Sequence, residues 1–484
     1  MWEGAPSHGR DGRQPTVRVG YTPHTSEATP GARFLYAKER PMYSLASKLY
    51  VHKDYADFPD APARVERIES AMGQEAENFG DLDIPDLIEE RGWQDRRSRR
   101  FSAFDTTPDQ DVVLMLSHFG EHPNLAKLTE KLGKDKPVTG LMRQLLGLRN
   151  MNLFSSGVED FHKPRKDHVC RPQWQLFTME GCSHQCAYCS LGGVIAAKVN
   201  MDYYCDHLGK LIENNPWQQV FLTNSNSDTP ILEPEIGHIR ALLDLVKRYD
   251  NRHFVVHTKS ANVDHLLEHT DHDQRAIMLW TIATPSAARI YEPGAPSTEE
   301  RFAAARKCYR TGYPVRIKFK PIIPMKDWRE EATLMARLAL DGMKPEVINL
   351  LTLTWMDVTT LRNAFNPEDL DPEAMEAADT AKDDMTDDHL RPFPHAFRAT
   401  VYDHFITEIR KIDPDVPITF STESLDMWKQ FGERLGYDAR DYICGCGPQS
   451  TPGCRRLEGN PWKVIAPMSW DGHAIEPGGP GRSA

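Results

Sequence analysis

Three cysteines at short, fixed spacings are the residues of this sequence best suited to metal chemistry. Cys182, Cys186 and Cys189 form a Cys-x3-Cys-x2-Cys run. Cysteine thiolates hold iron–sulfur clusters, and a cubane ordinarily takes four of them. Three thiolates therefore leave one iron open to a chelating molecule. Zinc with His184 as the fourth ligand is a competing interpretation, and a purely structural group of thiols is a third.

An open iron is what chelation by S-adenosylmethionine needs, since the amino and carboxylate groups of this molecule can occupy it. Electron transfer from the cluster would then cleave the sulfonium and give a 5′-deoxyadenosyl radical. The spacing, an aromatic residue (Tyr188) directly before the third cysteine and a strand-like segment just upstream favour this interpretation. In these features the chain resembles the radical SAM superfamily.

Alternating strand and helix patterns surround the cysteine run. Helix-like stretches such as IGHIRALLDLVKRY and STEERFAAARKCYRTG separate short apolar runs, which is typical of parallel βα units. We therefore predict an α/β fold built on a partial (β/α)6-type radical SAM barrel, with an N-terminal mostly helical region and a C-terminal extension. The six candidate barrel strands are WQLFTM, QQVFLTN, HFVVHT, IMLWTIA, VRIKFKPII and VINLLTLT.

Composition places the chain among globular proteins and excludes several classes. It has 484 residues, 58 Lys and Arg against 70 Asp and Glu, and a net charge of −12. This acidic balance argues against a general binder of DNA phosphates, although a local basic groove stays open. No run of about 18 apolar residues predicts a membrane span. Nine cysteines are too few for a disulfide scaffold, and the start MWEGAPSHGRDGRQ lacks a secretory pattern, so we expect a cytoplasmic protein.

Changes in composition and in hydrophobic pattern divide the sequence into five regions. Two basic runs, at 96–100 and 163–166, are either solvated faces or nucleic-acid contacts. Two short amphipathic helices are predicted on either side of Pro137. The predicted regions are a disordered tail (1–32), an N-terminal accessory region (33–165), the partial barrel (166–360), an acidic insertion (361–392), whose residues 366–391 we expect to face solvent, and a C-terminal region with a Cys-rich loop (393–484).

A closer resemblance rests on several motifs in series. In order and spacing, over roughly residues 170 to 450, they are similar to the spore photoproduct lyase family, whose members open a thymine photodimer in DNA. The motifs are Phe254-Val255-Val256-His257-Thr258-Lys259, Val263 to Leu267, Glu292-Pro293-Gly294, Arg301-x5-Lys307, Gly312-Tyr313-Pro314-Val315, Pro321-Ile322-Ile323-Pro324, Asp327-Trp328, Ser421-Thr422-Glu423, Met427-Trp428 and Cys444-Gly445-Cys446.

The resemblance implies roles for individual residues. The three clustered cysteines would be the metal ligands, and Tyr188 would lie beside the bound S-adenosylmethionine. Lys259 would pair with the carboxylate of that cofactor as a point charge. Thr281 stands where the family has a serine near the cofactor, and it keeps the hydroxyl. We further assign Ser225 to cofactor binding, and Asn226 and Cys205, with Tyr188, to the catalytic group.

Two departures from the family concern hydrogen-atom donors. The family has a cysteine in a Ser-Cys-Thr-Ser-Asp run, whereas residues 224–228 here read Asn-Ser-Asn-Ser-Asp. The family also has a tyrosine directly after the third cluster cysteine, where this chain has Ser190. Amides and alcohols are poorer hydrogen-atom donors than thiols and phenols. The donors left nearby in sequence are Tyr203, Tyr204 and Cys205.

The lost donors favour an isomerisation that returns the hydrogen to the cofactor. We predict a radical SAM enzyme that acts on a thymine-derived base in DNA and converts N-linked to C-linked glycyl-thymine, as in phage DNA hypermodification. It would use a reductant such as flavodoxin or ferredoxin, need no membrane, and work in the host cytoplasm if phage-encoded. The alternatives are a repair lyase with a relocated donor, a radical SAM enzyme on another substrate, and a binding protein with a structural cluster.

A second group of cysteines lies near the end of the chain. Cys444, Cys446 and Cys454 form a Cys-x-Cys-x7-Cys pattern in a Gly- and Pro-rich segment. A second iron–sulfur cluster is one interpretation, with Cys170, Cys205 or a non-cysteine ligand completing it. Structural thiols are the other.

Overall fold

The computed structural model describes ten segments of the chain, with gaps between them. Several predictions lie outside these segments: the tail at 1–32, both basic runs, Ser190 and Ser225. The side chain of Cys454 is likewise outside the described part. The described residues are 46–93, 110–154, 169–170, 173–189, 194–223, 226–381, 391–439, 442–447, 450–456 and 468–473.

Strands and helices alternate through most of the described chain. None of the helices there has the length and apolar character that a membrane span requires. The strands are β1 (Ala46–His52), β2 (Glu77–Phe79), β3 (Gln110–Met115), β4 (Met151–Phe154), β5 (Gln173–Leu176), β6 (Met179–Glu180), β7 (Val194–Lys198), β8 (Val220–Thr223), β9 (His253–Thr258), β10 (Ala276–Ile282), β11 (Val315–Ile322), β12 (Ile348–Thr352), β13 (Ile418–Phe420), β14 (Ser450–Thr451) and β15 (Arg455–Arg456).

The helices follow the strands closely, with short connections. Five further segments, Tyr55–Asp57, Asp81–Asp83, Thr229–Leu232, Pro367–Asp369 and Pro452–Cys454, form 3-10 turns. The α-helices are α1 (Ala61–Met72), α2 (Ile84–Glu90), α3 (Leu125–Leu132), α4 (Gly140–Leu145), α5 (Met201–Asn214), α6 (His238–Lys247), α7 (Asp264–Leu267), α8 (Pro285–Tyr291), α9 (Thr298–Arg310), α10 (Trp328–Leu340), α11 (Val358–Ala364), α12 (Pro372–Ala381), α13 (His395–Ile412) and α14 (Leu425–Leu435).

The larger sheet is the predicted partial barrel. Its eight strands run in the order β13-β12-β11-β10-β9-β8-β5-β4, and every pairing is parallel except that of β4 with β5. Each of the six predicted strand sequences forms a strand of this sheet. The α/β prediction is confirmed, and the sheet is open between β13 and β4.

Alternation along β11 separates the two faces of this sheet. Phe319 packs on Phe302 of α9 and on Phe405 of α13, so odd-numbered side chains of β11 face the helices. Lys318 and Lys320 therefore lie on the opposite face, which we call the inner face. Lys318 pairs in register with Thr281 on β10 and with Asn349 on β12.

A second sheet, which the sequence did not predict, lies in the N-terminal region. Its order is β2-β1-β3-β7-β6, with parallel pairings except for β6 with β7. Alternate residues of β3 join two separate cores, Val112 and Leu114 in one, Val113 and Met115 in the other. The region is therefore α/β, although the two helices predicted around Pro137 are present as α3 and α4. Because β6 and β7 complete this sheet, the predicted boundary at 165 runs through a shared structural unit.

Residues 366–391 were predicted to face solvent, and for 366–381 this is wrong. The apolar side chains of this stretch lie in the main core, with Leu370, Ala374 and Ala378 at 1% exposure or less. In α12 the buried Ala374 and Ala378 are four residues apart, so one stripe of the helix packs inward while its acidic residues face out. Residues 382–390 are outside the described part.

Candidate cofactor site

The three clustered cysteines lie on one loop between β6 and β7. Its backbone is tied down at both ends, since Gly181 N donates to Asn226 O at 2.9 Å and Ala187 N donates to Tyr291 O at 2.9 Å. Within the loop, Cys189 N donates to Cys186 O at 2.9 Å. None of the three thiols is in a disulfide, and burial raises the pKa of Cys182 and of Cys186. That the three thiols bind one metal group stays a prediction.

A glycine lets the segment after α8 come against this loop. Gly294 N donates to His184 O at 3.0 Å, and a Cβ on Gly294 would lie 2.3 Å from Ser183 O. Such a distance is a clash, so a side chain at this position would push the two segments apart. The Glu292-Pro293-Gly294 motif therefore places Glu292 beside the cysteines through a contact that only glycine permits.

His184 connects the cysteine loop to the end of β8 and is not free to ligate zinc. Its Nδ1 lies 3.1 Å from Gly294 O and its Nε2 lies 3.0 Å from Asp228 Oδ2. Asp228 also accepts from Thr258 Oγ1 at 2.7 Å and from Lys259 N at 2.5 Å. One buried carboxylate thus joins the cysteine loop to the end of β9. This engagement of both ring nitrogens disfavours the zinc interpretation.

Glu292 is the centre of a buried charge cluster next to the cysteines. Its Oε1 accepts from Lys259 Nζ at 2.9 Å and from the Tyr188 hydroxyl, and its Oε2 faces Arg301 Nη2. Although burial opposes ionisation, Arg301 and then Lys259 lower the pKa of Glu292 to about 2. Glu292 and Arg301 are both fully buried.

The composition of this cluster fits an anionic ligand. One carboxylate is shared by two cations, so the group keeps a net charge of plus one. Lys259 Nζ also lies 5.8 Å from the centre of the Tyr188 ring, which stacks on Phe365 at 6.2 Å. A carboxylate arriving beside Lys259 would meet unbalanced positive charge, as the predicted contact with S-adenosylmethionine requires.

Thr281 lies at the inner-face end of the same cluster. Its hydroxyl pairs with His257 Nε2 at 2.5 Å, and its carbonyl accepts from Arg301 Nη1 at 3.5 Å. Burial, then the neighbouring cations Lys318, Lys320 and Lys259, keep the pKa of His257 well below its ordinary value. Thr281 therefore joins the charge cluster to the inner face of the sheet.

The structure separates the predicted catalytic residues. Asn226 contacts the cysteine loop through its backbone carbonyl. Cys205 does not reach the site: it is 5% exposed on α5, and its thiol is directed at Ala241 O on α6 at 3.8 Å. Tyr204 is also buried, and its hydroxyl donates to Asn150 O at 2.7 Å. A thiol in a helix interface is typically a packing group, so these contacts do not support the assignment of Cys205 to catalysis.

The C-terminal thiols lie on the inner face, a placement that the sequence did not indicate. Cys446 Sγ accepts from Gln173 Nε2 at 2.8 Å and from Lys318 Nζ at 3.1 Å, and it lies 3.5 Å from Cys444 Sγ. The Cys444 thiol and Lys318 together lower the pKa of Cys446. A Cβ on Gly445 would lie 2.0 Å from Asn349 Oδ1, so a side chain at this position would displace the Asn349 amide on β12.

In the part of the chain that the structure describes, no three Cys, His, Asp or Glu side chains converge as ligands of a single metal ion. A cubane is a larger group whose thiolates bind separate irons, so three thiols on one loop suit it. With the unbalanced cation at Lys259, the donor set fits an iron–sulfur cluster with S-adenosylmethionine. Cys170, one of the candidate ligands of a second cluster, interacts electrostatically with Cys444, and a second cluster at these thiols stays a prediction.

Several residues of this site had no role predicted from the sequence. Glu292 and Arg301 belong to two of the motifs given above. The pattern that could have identified them as a pair is an acidic and a basic residue nine positions apart, on either side of the start of α9. Asp228 comes five residues after the last residue of β8, and ligands bind beyond the carboxyl ends of parallel strands in such sheets. Lys318 and Lys320 carry a signal as well, since charged residues alternate with apolar ones along a buried strand.

Residues 171–360 match the family model described as Spore photoproduct lyase. Among curated proteins, the chain is 25% identical over 204 residues to the Spore photoproduct lyase of Clostridium acetobutylicum, covering 40% of this chain and 60% of that protein. It is 26% identical over 157 residues to the Bacillus subtilis enzyme, covering 31% and 46%. The matches thus span well under two thirds of these relatives, and the motif-based resemblance is confirmed for the matched region.

Solved structures show the same fold. A Spore photoproduct lyase complexed with dinucleoside spore photoproduct covers 79% of this chain and 100% of its own, with a TM-score of 0.53 and 17% identity. A mutant of Spore photoproduct lyase with bound AdoMet and dinucleoside spore photoproduct covers 79% and 99%, with a TM-score of 0.52 and 17% identity. At this identity the likeness concerns the fold.

Proposed function

We propose that this chain is a radical SAM enzyme that acts on a thymine-derived base in DNA. The observation that carries the proposal is the charge cluster of Tyr188, Lys259, Glu292 and Arg301 directly against the three-cysteine loop. The similarity of residues 171–360 to spore photoproduct lyases supports a thymine-type substrate. Base-modifying enzymes take a single extruded or unpaired base into the protein, so a net charge of −12 does not conflict with a DNA substrate.

The residues of the chain would divide the work as follows. Cys182, Cys186 and Cys189 would hold a [4Fe-4S] cluster, and Lys259 would hold the carboxylate of S-adenosylmethionine. Tyr188 would shield that contact from water. When bound, the cluster and S-adenosylmethionine supply a hydrogen-abstracting 5′-deoxyadenosyl radical.

For the reaction itself we propose an isomerisation of N-linked to C-linked glycyl-thymidine. The conversion is redox-neutral: one carbon–nitrogen bond breaks, one carbon–carbon bond forms, and the abstracted hydrogen is returned. Two features support it. Residues 224–228 contain no cysteine, and Cys205 is packed between α5 and α6.

A repair lyase is the second candidate, and one observation favours it. Cys446 lies on the inner face in contact with Lys318, which pairs in register with Thr281. A thiol on this face is a hydrogen-atom source that the sequence pattern around residue 225 lacks. Similarity to known lyases supports this candidate as well.

One experiment decides between the candidates. Protein reconstituted without oxygen and reduced is given DNA with N-linked glycyl-thymidine deuterated at the glycine α-carbon, or the spore photoproduct dinucleotide. Deuterium returning to S-adenosylmethionine with a C-linked product supports the isomerase. Thymidine released from the photoproduct, and lost in Cys446→Ser, supports the lyase. Cofactor cleavage with neither product would contradict the thymine assignment.

A further inference from the structure

The inner face of the larger sheet carries four cations, and three of them have partners in the protein. Lys259 Nζ pairs with Glu292 at 2.9 Å, Lys318 Nζ with Cys446 Sγ at 3.1 Å, and Arg316 Nε with Glu346 at 2.8 Å. The fourth cation, Lys320, has no hydrogen bond or ion pair with any of the described residues.

Lys320 is half-buried rather than free at the surface. It lies within β11, two positions after Lys318, and burial together with the Lys318 charge lowers the pKa of Lys320 to about 8. The thiols of Cys446, Cys170 and Cys444 act on Lys320 electrostatically, but no described anion forms a hydrogen bond or ion pair with its ammonium. A directly bound anion would offset the cost of holding this ammonium beside other cations. For the other three cations on this face, the protein itself supplies the partner, as described above.

The position of Lys320 relates it to the candidate cofactor site. Lys318, its neighbour on the same face of β11, pairs in register with Thr281. The charges of Lys259, Lys318 and Lys320 all act on His257, whose Nε2 contacts the Thr281 hydroxyl. Lys320 is therefore on the face that a substrate would share with the cofactor.

We propose that Lys320 binds an oxyanion of the substrate, and that this oxyanion is the carboxylate of an amino-acid substituent on the base. The inference rests on the proposed function and names the group by which the substrate is recognised. The carboxylate is favoured because Lys320 lies within β11, inside the sheet. When a base is extruded from DNA and enters the protein, the phosphates of that DNA strand would stay nearer the rim of the sheet.

Binding measurements on the oxygen-free holoenzyme test this without turnover. The first ligand pair is N-linked glycyl-thymidine and its carboxamide, which differ only in the charge. The second pair is thymidine dinucleotide and a dinucleoside without the bridging phosphate. Calorimetry on wild-type protein, Lys320→Gln and Lys320→Arg gives the preference within each pair. Lys344→Gln is the matched control, since Lys344 is an exposed lysine.

We expect wild-type protein to prefer the glycyl carboxylate over the carboxamide by roughly 30-fold, the low end for a desolvated charge pair. Lys320→Gln should abolish that preference, whereas Lys320→Arg and Lys344→Gln should keep it. A preference confined to the phosphate pair, and lost in Lys320→Gln, would overturn the carboxylate and assign the site to DNA phosphate. A preference unchanged in Lys320→Gln, or absent from wild-type protein, would overturn the oxyanion site.

The same preparations separate this inference from the proposed function. Cleavage of S-adenosylmethionine and conversion of glycyl-thymidine in DNA report on the function. If wild-type protein converts the substrate while Lys320→Gln keeps the carboxylate preference, only the role of Lys320 fails. If the carboxylate preference depends on Lys320 but no conversion occurs, the binding site stands and the isomerase fails. Lys320→Arg guards against misfolding, because it retains the charge.

Discussion

Lys259 and Glu292 form a buried ion pair, with Nζ 2.9 Å from Oε1, and Glu292 is shared with Arg301 on its other oxygen. The sequence motifs place these residues 33 positions apart, at the end of β9 and after α8. In the protein they meet against the cysteine loop. This pairing holds the Lys259 ammonium in place and leaves the charge cluster of Lys259, Glu292 and Arg301 with surplus positive charge.

Lys259→Met should weaken binding of S-adenosylmethionine by roughly 10- to 100-fold, because the substitution removes the cation that faces the cofactor carboxylate. Equilibrium dialysis on reconstituted protein measures this. Iron content should stay at the wild-type level, since Lys259 is not a thiolate ligand. Lys344→Met serves as the control, and equal affinity in both variants would contradict the assignment.

Glu292→Gln should destabilise the protein by about 3 to 5 kcal/mol, as expected when one partner of a buried pair is removed. The substitution leaves Lys259 and Arg301 facing each other without a counter-charge. Urea unfolding monitored by tryptophan fluorescence gives the free energy of unfolding. The exposed Glu299→Gln is the matched control and should change it by less than about 0.5 kcal/mol. If Glu292→Gln lowered the free energy of unfolding no more than Glu299→Gln does, the charge cluster around Glu292 would not be important for stability.

The same carboxylate predicts a pH dependence. The pKa of Glu292 is about 2 in the folded protein, below its ordinary value of 4.5. A group with a lowered folded pKa contributes stability that is present above the unfolded pKa and is lost as the pH falls through the folded one. Between pH 5 and pH 2, the stability difference between wild-type protein and Glu292→Gln should therefore shrink. A difference that is constant over this window would contradict the charge cluster.

Cys186→Ser should abolish the iron–sulfur cluster, whereas Cys205→Ser should leave it intact. The two thiols are similarly buried, but only Cys186 lies on the loop between β6 and β7. Iron and sulfide analysis with electron paramagnetic resonance after oxygen-free reconstitution measures the outcome. Iron retained in Cys186→Ser would point to the C-terminal thiols, and combining it with Cys446→Ser would locate that second centre.

Much of the larger sheet was predictable because local pattern and tertiary environment agree there. Each parallel strand is a short apolar run, and the helices between them have one apolar stripe. Prediction failed where local composition was ambiguous. The polar connections of the N-terminal region made β1 to β3 hard to recognise as strands. One of them, β3, pairs with β7, which comes about 80 residues later in the chain. The acidic residues of 366–381 concealed the apolar stripe that packs into the core.

The sequence by itself determined the three-thiol loop with Tyr188 in it and the lysine that follows β9, because spacing within a few residues and order along the chain carry that information. Tertiary structure alone decided which distant side chains share the site. Glu292 reaches the cysteines because Gly294 permits close contact, Cys205 is turned into a helix interface, and Cys446 lies on the inner face against Lys318. Such contacts join residues tens to hundreds of positions apart, and they depend on how strands pair and loops cross rather than on any local pattern.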